Sequence, residues 1–485
     1  MSILPHAPAD TPDTDIDRLA EAAGAAARAW RGGPAAGRAA LLRELAQGLE
    51  EERGHLVALA DEETHLGTAR LDGELDRTAF QLRGFAQQLD ENQVGVALGE
   101  AAVAGVPPQG RPALTRVQVP LGPVAVFAAS NFPFAFSVLG GDTASALAAG
   151  CPVVVKAHPG HPRLSRATAA IAERATRKLG LASGVFGMIE GASITPGVRL
   201  VRHPEISAVA FTGSFKGGVA LNAEAQARSR PIPFFGELGS INPVIALPAA
   251  LQQDGSGLAS QLAASIVNGC GQFCTSPGVI VILDSDGASD AFVRDLTAAL
   301  DAARPHAMLN MALRDGFEHG VARFERHLAV SRLTTAVAAE SAGPRAYLGQ
   351  VSASQFLADP ALHEEVFGPA ALLVRAADDD EMISVLRAVG GSLTVTLWGA
   401  DAPTDANCRL LQAAVSIAGR VLFRGVPTGV AVCAAQQHGG PWPASTRPES
   451  TSVGFAAVER FLRPVALQDA PAWALQPMPA AIANN

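Results

Sequence analysis

The amino-acid sequence predicts an α/β protein built on a parallel, doubly wound sheet. Short apolar segments of strand length at 122–128, 152–156, 185–189 and 206–211 alternate with helix-length segments at 142–150 and 163–179. Polar residues of chemically useful type, Asn131, Lys156 and Thr212-Gly213-Ser214, stand where those strands end, the edge at which such sheets bind ligands. A second α/β unit follows from about Gly239 to about Arg424 and contains Cys274.

Taken in order, residues 1–14 read as a loose arm, and 15–85 as amphipathic helices. Leu41, Leu42, Leu45 and Leu49 lie at helical spacing opposite Arg38, Arg43, Glu44, Glu50 and Glu51, the pattern of a helical cap over a sheet. Residues 95–120, rich in Gly, Pro and Val, suit an extended hairpin excursion. The tail after Gly440 is expected to pack back on the body or on another subunit. These segments suggest a cofactor-binding domain at 1–101 and 121–238 and a catalytic domain at 239–430. An oligomerisation excursion at 102–120 and a C-terminal return segment at 431–485 complete the division.

Composition narrows the function. The chain has 485 residues, 48% hydrophobic and 17% charged, which describes a globular protein with a substantial core. Its net charge of −9 argues against nucleic acid or an anionic membrane as partner. No apolar run approaches the roughly 18 residues of a membrane span. Five cysteines without framework spacing suit a reducing compartment, and the N-terminal stretch lacks the basic and apolar regions of a secretory signal, so a cytoplasmic location is expected.

The chemistry concentrates in a few short stretches. Cys274 lies in the Gly- and Ser-rich loop 268–278, between a helix-like Ala-rich segment and the apolar run 279–283, where a thiol is both fixed and reachable. Gly213-Ser214-Phe215-Lys216-Gly217-Gly218 follows a strand and should open a helix whose backbone N–H groups can meet a phosphate. It is not a Walker loop, since Val219-Ala220 follows where Lys-Ser/Thr would stand. Glu237 sits in an apolar, Gly-flanked setting. Burial there would raise its carboxyl towards the range of a general base, and a loop cap or an arginine pair is the equal alternative. Glu365 stands just before the turn Phe367-Gly368-Pro369. Neither Cys270 and Cys274 nor His363-Glu364-Glu365 has metal-site spacing, so no metal is expected.

In this order the pieces resemble the aldehyde dehydrogenase superfamily. The matching elements are Ser130-Asn131-Phe132-Pro133, Lys156, Phe211-Thr212-Gly213-Ser214 with Gly218, Glu237-Leu238-Gly239, Gly271-Gln272 with Cys274, and Glu365 with Phe367-Gly368-Pro369. Gly140-Gly141-Asp142-Thr143, Val155-Lys156-Ala157-His158-Pro159 and Gly239-Ser240-Ile241-Asn242-Pro243 are similar to the 2-oxoglutarate semialdehyde dehydrogenases and their NADP-using fatty-aldehyde relatives. The resemblance implies a Rossmann-type cofactor domain beside an α/β catalytic domain, and oxidation of a small-molecule aldehyde to an acid. Cys274 would be the nucleophile, Asn131 the oxyanion donor and Glu237 the base for thioester hydrolysis. Lys156 and Glu365 would hold the riboses, Ser214 the pyrophosphate, with Gly213, Gly218 and Phe367 completing the cofactor site. His158 replaces the acid that repels a 2′-phosphate in NAD-preferring relatives, which favours NADP and leaves NAD open. Family members are homodimers or homotetramers, which is the expectation here.

Three positions depart from the family pattern. Gly140 stands where many relatives carry a lysine, Arg424 where an Asn is usual, and Ala431 where the semialdehyde branch would carry an acid. Arg424 either meets an anionic substrate tail or pairs with an acid. These changes bear on the substrate, while the reaction type rests on the matching residues.

Overall fold

The computed structural model describes residues 8–30, 33–284, 287–335 and 343–475. Its centre is a five-stranded parallel sheet ordered Phe186–Ile189, Val153–Lys156, Val124–Phe127, Ala208–Thr212, Phe234–Glu237. Two of the three inner strands, VAVF and VVVK, are buried at every residue. Continuous apolar runs of this kind belong to parallel strands covered on both faces. Lys156 and Glu237 are the last residues of their strands, and Asn131 and Ser214 follow theirs within a few residues, so all four meet at one sheet edge.

Helices Asp13–Trp30, Ala35–Glu51, Arg53–Thr64 and Thr68–Asp90 form the expected cap. Leu41, Leu42, Leu45 and Leu49 are its core face, each at most 1% exposed. The arm is less loose than expected. The Asp10 carboxylate accepts from Ser193, and the Thr11 N–H donates to the Glu190 carbonyl. Residues 1–7 lie outside the described residues.

The second unit is a seven-stranded sheet. Its order is Ser331–Arg332, Tyr347–Ser352, Ala370–Ala376, Val279–Leu283, Val244–Ala246, Ser392–Trp398, Ala418–Leu422, parallel apart from the first pair. The 95–120 excursion is a hairpin of Leu98–Glu100 and Leu114–Pro120, starting earlier than the expected residue 102. Strand Leu462–Gln468 pairs antiparallel with Leu114–Pro120, so the tail returns to the body. Arg460 binds Asp142 at 2.7 Å, both buried, and ties that return to helix Gly141–Ala149. At Gly140 a β-carbon would lie 2.4 Å from the Ala135 carbonyl oxygen, so this turn admits no side chain.

Candidate active site

A left-handed turn delivers Cys274. After helix Pro248–Val267, residues Gly269, Cys270 and Gly271 take φ values of 53°, 59° and 65°. Such backbone costs a residue with a β-carbon roughly 1–2 kcal/mol, which explains the two glycines. A β-carbon at Gly271 would also lie 2.2 Å from the Gly368 carbonyl carbon, so the loop packs directly on the turn that follows Glu365. Asn242 Nδ2 donates to the carbonyls of Cys274 and Ser276, each at 2.9 Å, and fixes the loop from below. Asn131 Nδ2 donates to the Gln272 carbonyl at 3.1 Å, which holds its amide beside the same loop. Cys270 points away, donating to the His306 carbonyl, and burial pushes its thiol up to about 12.

Around the Cys274 sulfur the structure adds two residues the sequence reading missed, His438 and Ser452. His438 Nε2 lies 3.6 Å from Cys274 Sγ and 3.1 Å from Glu237 Oε1. Ser452 Oγ donates to Glu237 Oε2 at 2.5 Å. His438 is 1% exposed, its N–H bound to Thr451 Oγ1 and its carbonyl accepting from the Ser452 N–H. It comes from a loop 201 residues beyond Glu237, and no acid or second histidine stands near it in sequence. Its only local signal is the Gly439-Gly440 pair beside it, where the backbone passes within β-carbon distance of Ser450 and Ser392.

These neighbours reverse one expectation. Burial does push the Glu237 carboxyl up, but the charge and hydrogen bond of His438 oppose it. With the Ser452 hydroxyl and the Cys274 thiol they outweigh burial, and the carboxyl sits below the ordinary carboxylate range. Glu237 therefore rests ionised. The Cys274 thiol moves the other way. Burial raises it well above its ordinary value, the charge of Glu237 and its hydrogen bond raise it further, Glu365 adds to this, and Arg77 opposes them. At rest the site holds a protonated thiol beside a ready carboxylate. The Glu237, Cys274 and His438 ligand-type atoms all lie within 4.8 Å of one another, a spacing that would also suit a divalent cation, which sequence spacing did not foretell.

The cofactor side of the site is one cavity of about 570 Å³, whose wall includes Asn131, Lys156, Ser214, Glu237, Cys274 and Glu365. His158, Gly213 and Phe367 line it too. Gly218 does not: a β-carbon there would lie 2.1 Å from Leu238 Cδ2, so this glycine lets helix Phe215–Gln226 close on the strand end. Ser214 caps that helix, its Oγ accepting from the Gly217 N–H at 3.3 Å, and the helix N-terminus faces the cavity. Lys156 Nζ donates to the carbonyls of Ala157 and Gly191 at 2.9 and 2.7 Å, and burial lowers its ammonium to about 8. Burial, His161 and Lys156 together hold the His158 imidazole neutral. Glu365 stands at the rim, open to water on one side. The surrounding wall raises its carboxyl to about 7 against a hydrogen bond from the Ser240 N–H. A buried ammonium, an open helix N-terminus and the unpartnered, buried Thr212 Oγ1 fit a phosphate-bearing dinucleotide. Arg424 does not line this cavity: its side chain is 90% exposed and lies 3.8 Å from Asp401.

Fold and site together belong to an oxidoreductase that converts an aldehyde to a carboxylic acid. The chain is a member of the aldehyde dehydrogenase family, whose profile matches residues 4–328 and whose members use NAD(P). It is 44% identical over 461 residues to alpha-ketoglutaric semialdehyde dehydrogenase 2 of Azospirillum brasilense, covering 94% of this chain and 87% of that one. It is 40% identical over 457 residues to the alpha-ketoglutaric semialdehyde dehydrogenase of Acinetobacter baylyi, covering 94% and 86%. Among solved structures, the lactaldehyde dehydrogenase of Escherichia coli matches with a TM-score of 0.79 at 22% identity, over 94% of this chain and 91% of that one. A bifunctional proline utilization A protein matches with a TM-score of 0.80 at 24% identity, and this chain spans 45% of its length. Both structural likenesses show the fold. No helix among the described residues is long and apolar enough to cross a membrane.

Proposed function

We propose that this enzyme oxidises 2-oxoglutarate semialdehyde to 2-oxoglutarate, with NADP+ preferred over NAD+. The chemistry rests on one observation, the Cys274 thiol within reach of an ionised Glu237 and of His438 in the wall of a dinucleotide-sized cavity. The substrate rests on the two relatives of that name, each aligned over 94% of this chain.

In this reading Glu237 takes the Cys274 proton as the aldehyde arrives, with His438 Nε2 standing 3.6 Å from the sulfur. The sulfur bonds to the aldehyde carbon, and the carbonyl oxygen becomes an oxyanion. The second N–H of the Asn131 amide and the Cys274 backbone N–H stabilise it; losing one such donor typically costs about 100- to 1000-fold. The nicotinamide, when bound, supplies the hydride acceptor. A thioester remains on Cys274. Glu237 releases the first proton to solvent and, held by His438 and Ser452, then takes a proton from the water that attacks the thioester and passes it to the departing Cys274 sulfur, releasing the acid and the thiol. Lys156, Ser214, Glu365, Phe367 and Gly213 hold the cofactor. His158, being neutral, presents no charge against a 2′-phosphate, and Lys156 supplies the positive one.

The same reading divides the chain into a cofactor domain at 1–101 and 121–238, a catalytic domain at 239–430, and a hairpin with its C-terminal return that joins subunits into a homodimer or homotetramer. Exposed Val106 and Trp473 on these last segments, with exposed Val96 and Leu98 just before them at the start of the hairpin, support the subunit contact.

The test is turnover of 2-oxoglutarate semialdehyde with both cofactors, with Cys274→Ala as control and His158→Glu as the specificity variant. Cysteine-dependent turnover with kcat/KM higher for NADP+, reversed in His158→Glu, is expected. Failure with this substrate while other aldehydes react removes the substrate assignment, and light scattering showing a monomer removes the assembly.

A further inference from the structure

Helix Thr68–Asp90 carries Arg70, Glu74 and Arg77, spaced so that all three lie along one face. That face meets the aromatic wall around Cys274. The Arg77 guanidinium stacks on Phe136, 5.4 Å from the ring centre, and Phe136 lies 6.4 Å from the His438 ring. The Arg70 guanidinium stacks on Phe273 at 4.5 Å and Phe132 at 5.2 Å, the neighbours in sequence of Cys274 and Asn131. Each arginine is thus one aromatic ring away from the reacting groups, on rings of which Phe132 and Phe136 line the cavity.

Both guanidinium groups carry an unmet donor. Nη1 of Arg70 and Nη1 of Arg77 are buried with no hydrogen-bond partner. Glu74 between them does not supply one: its Oε1 accepts from the Phe134 and Ala135 N–H groups, and its Oε2 has no partner. Burial pushes the Glu74 carboxyl up, which weakens it as a counter-charge to the two arginines, and Glu237 is the other carboxylate whose charge reaches Arg77. Buried polar groups are rarely left unsatisfied, and each exception calls for an explanation such as a functional role, a bound water or an ion. An arginine fork is the natural receptor for a carboxylate.

We propose that Arg77, assisted by Arg70, binds the carboxylate of the substrate and makes this enzyme selective for aldehydes that carry one at the far end. The anion receptor is then on the N-terminal helical cap, and the surface residue Arg424 has no part in it. Arg70 also donates to the Asn131 carbonyl at 2.7 Å, so it doubles as a positioning residue for the oxyanion donor, and Arg77 is the cleaner probe.

This inference deepens the substrate assignment above and rests on it. The experiment compares kcat/KM for glutarate semialdehyde and succinate semialdehyde with pentanal and butanal, in wild type, Arg77→Met and Arg77→Lys. Arg77→Met should lose about 10- to 100-fold on the carboxylated aldehydes, the range for one hydrogen bond to a charged group, and change little on the neutral ones. Arg77→Lys, which keeps the charge without the fork, should recover part of the loss. An equal loss on both substrate classes would make Arg77 a structural residue and overturn the inference. A wild type that prefers neutral aldehydes sinks the substrate assignment itself, whereas a wild type that prefers carboxylated ones with unchanged variants sinks only the arginine. If Arg77→Met does not fold, the wild type serves alone. Glutarate should compete with the aldehyde where pentanol does not, and absence of that competition overturns the inference.

Discussion

Glu237 shows how little a residue's immediate surroundings say about its charge. The flanking residues of Glu237 are apolar and glycine, and they point to a raised carboxyl; His438 and Ser452 arrive from remote loops and lower it. His438→Asn should therefore slow alkylation of Cys274 by iodoacetamide and lower kcat/KM by about 100-fold, the lower end for a group assisting proton transfer. Unchanged alkylation would show that His438 does not act on the thiol. Lys156 provides a pH signature. Burial lowers it to about 8, so in the free enzyme it is charged below that pH and neutral above it. Cofactor affinity should fall as the pH rises past about 8, and titration of cofactor binding should show that fall vanish in Lys156→Met. Cys274, Glu237, Asn131 and Lys156 were legible because short motifs flank them. His438 and Ser452 were not, because each acts through a contact made across the fold.

At the scale of elements, the strand ends and turns do the positioning. The parallel strands were readable from their β-branched, doubly buried runs, and the helix opened by Ser214 from the glycines around it. Gly218 was read as a phosphate-loop residue, but it serves helix–strand packing against Leu238. The nucleophile turn is the most demanding element. At Gly271 a β-carbon meets both a left-handed backbone, φ 65°, and the Gly368 carbonyl carbon at 2.2 Å. Gly271→Ala should cost about 1–3 kcal/mol of stability and abolish most turnover by displacing Cys274. Denaturant unfolding together with single-turnover assays measures both, and wild-type activity in this variant would show that the turn can shift without harm.

For the molecule as a whole, the C-terminal return holds the units in register. It brings strand Leu462–Gln468 to the hairpin, His438 and Ser452 to Glu237, and Arg460 to Asp142. The last pair is buried at both ends, 3% and 9% side-chain exposure. Removing one member leaves the other charge without its counterpart, so Arg460→Met should destabilise the protein by about 3–5 kcal/mol. Urea unfolding would register this as a lower midpoint. A change below about 1 kcal/mol, the range of an exposed pair, would place Asp142 in contact with water.

Strand–helix alternation, the order of the glycine-flanked motifs and the Leu stripe of the cap are properties of neighbouring residues, and they carried the fold class, the reaction type and the four central residues. The sign of the Glu237 shift, the place of His438 and Ser452, the packing role of Gly218, the exposure of Arg424 and the stacking of Arg70 and Arg77 on the aromatic rings of the site depend on segments far apart in the chain. Backbone pattern is set by local sterics and hydrophobic periodicity, which a sequence displays. Charge states and ligand contacts are set by distance and burial in space, and those come into being when the chain closes on itself.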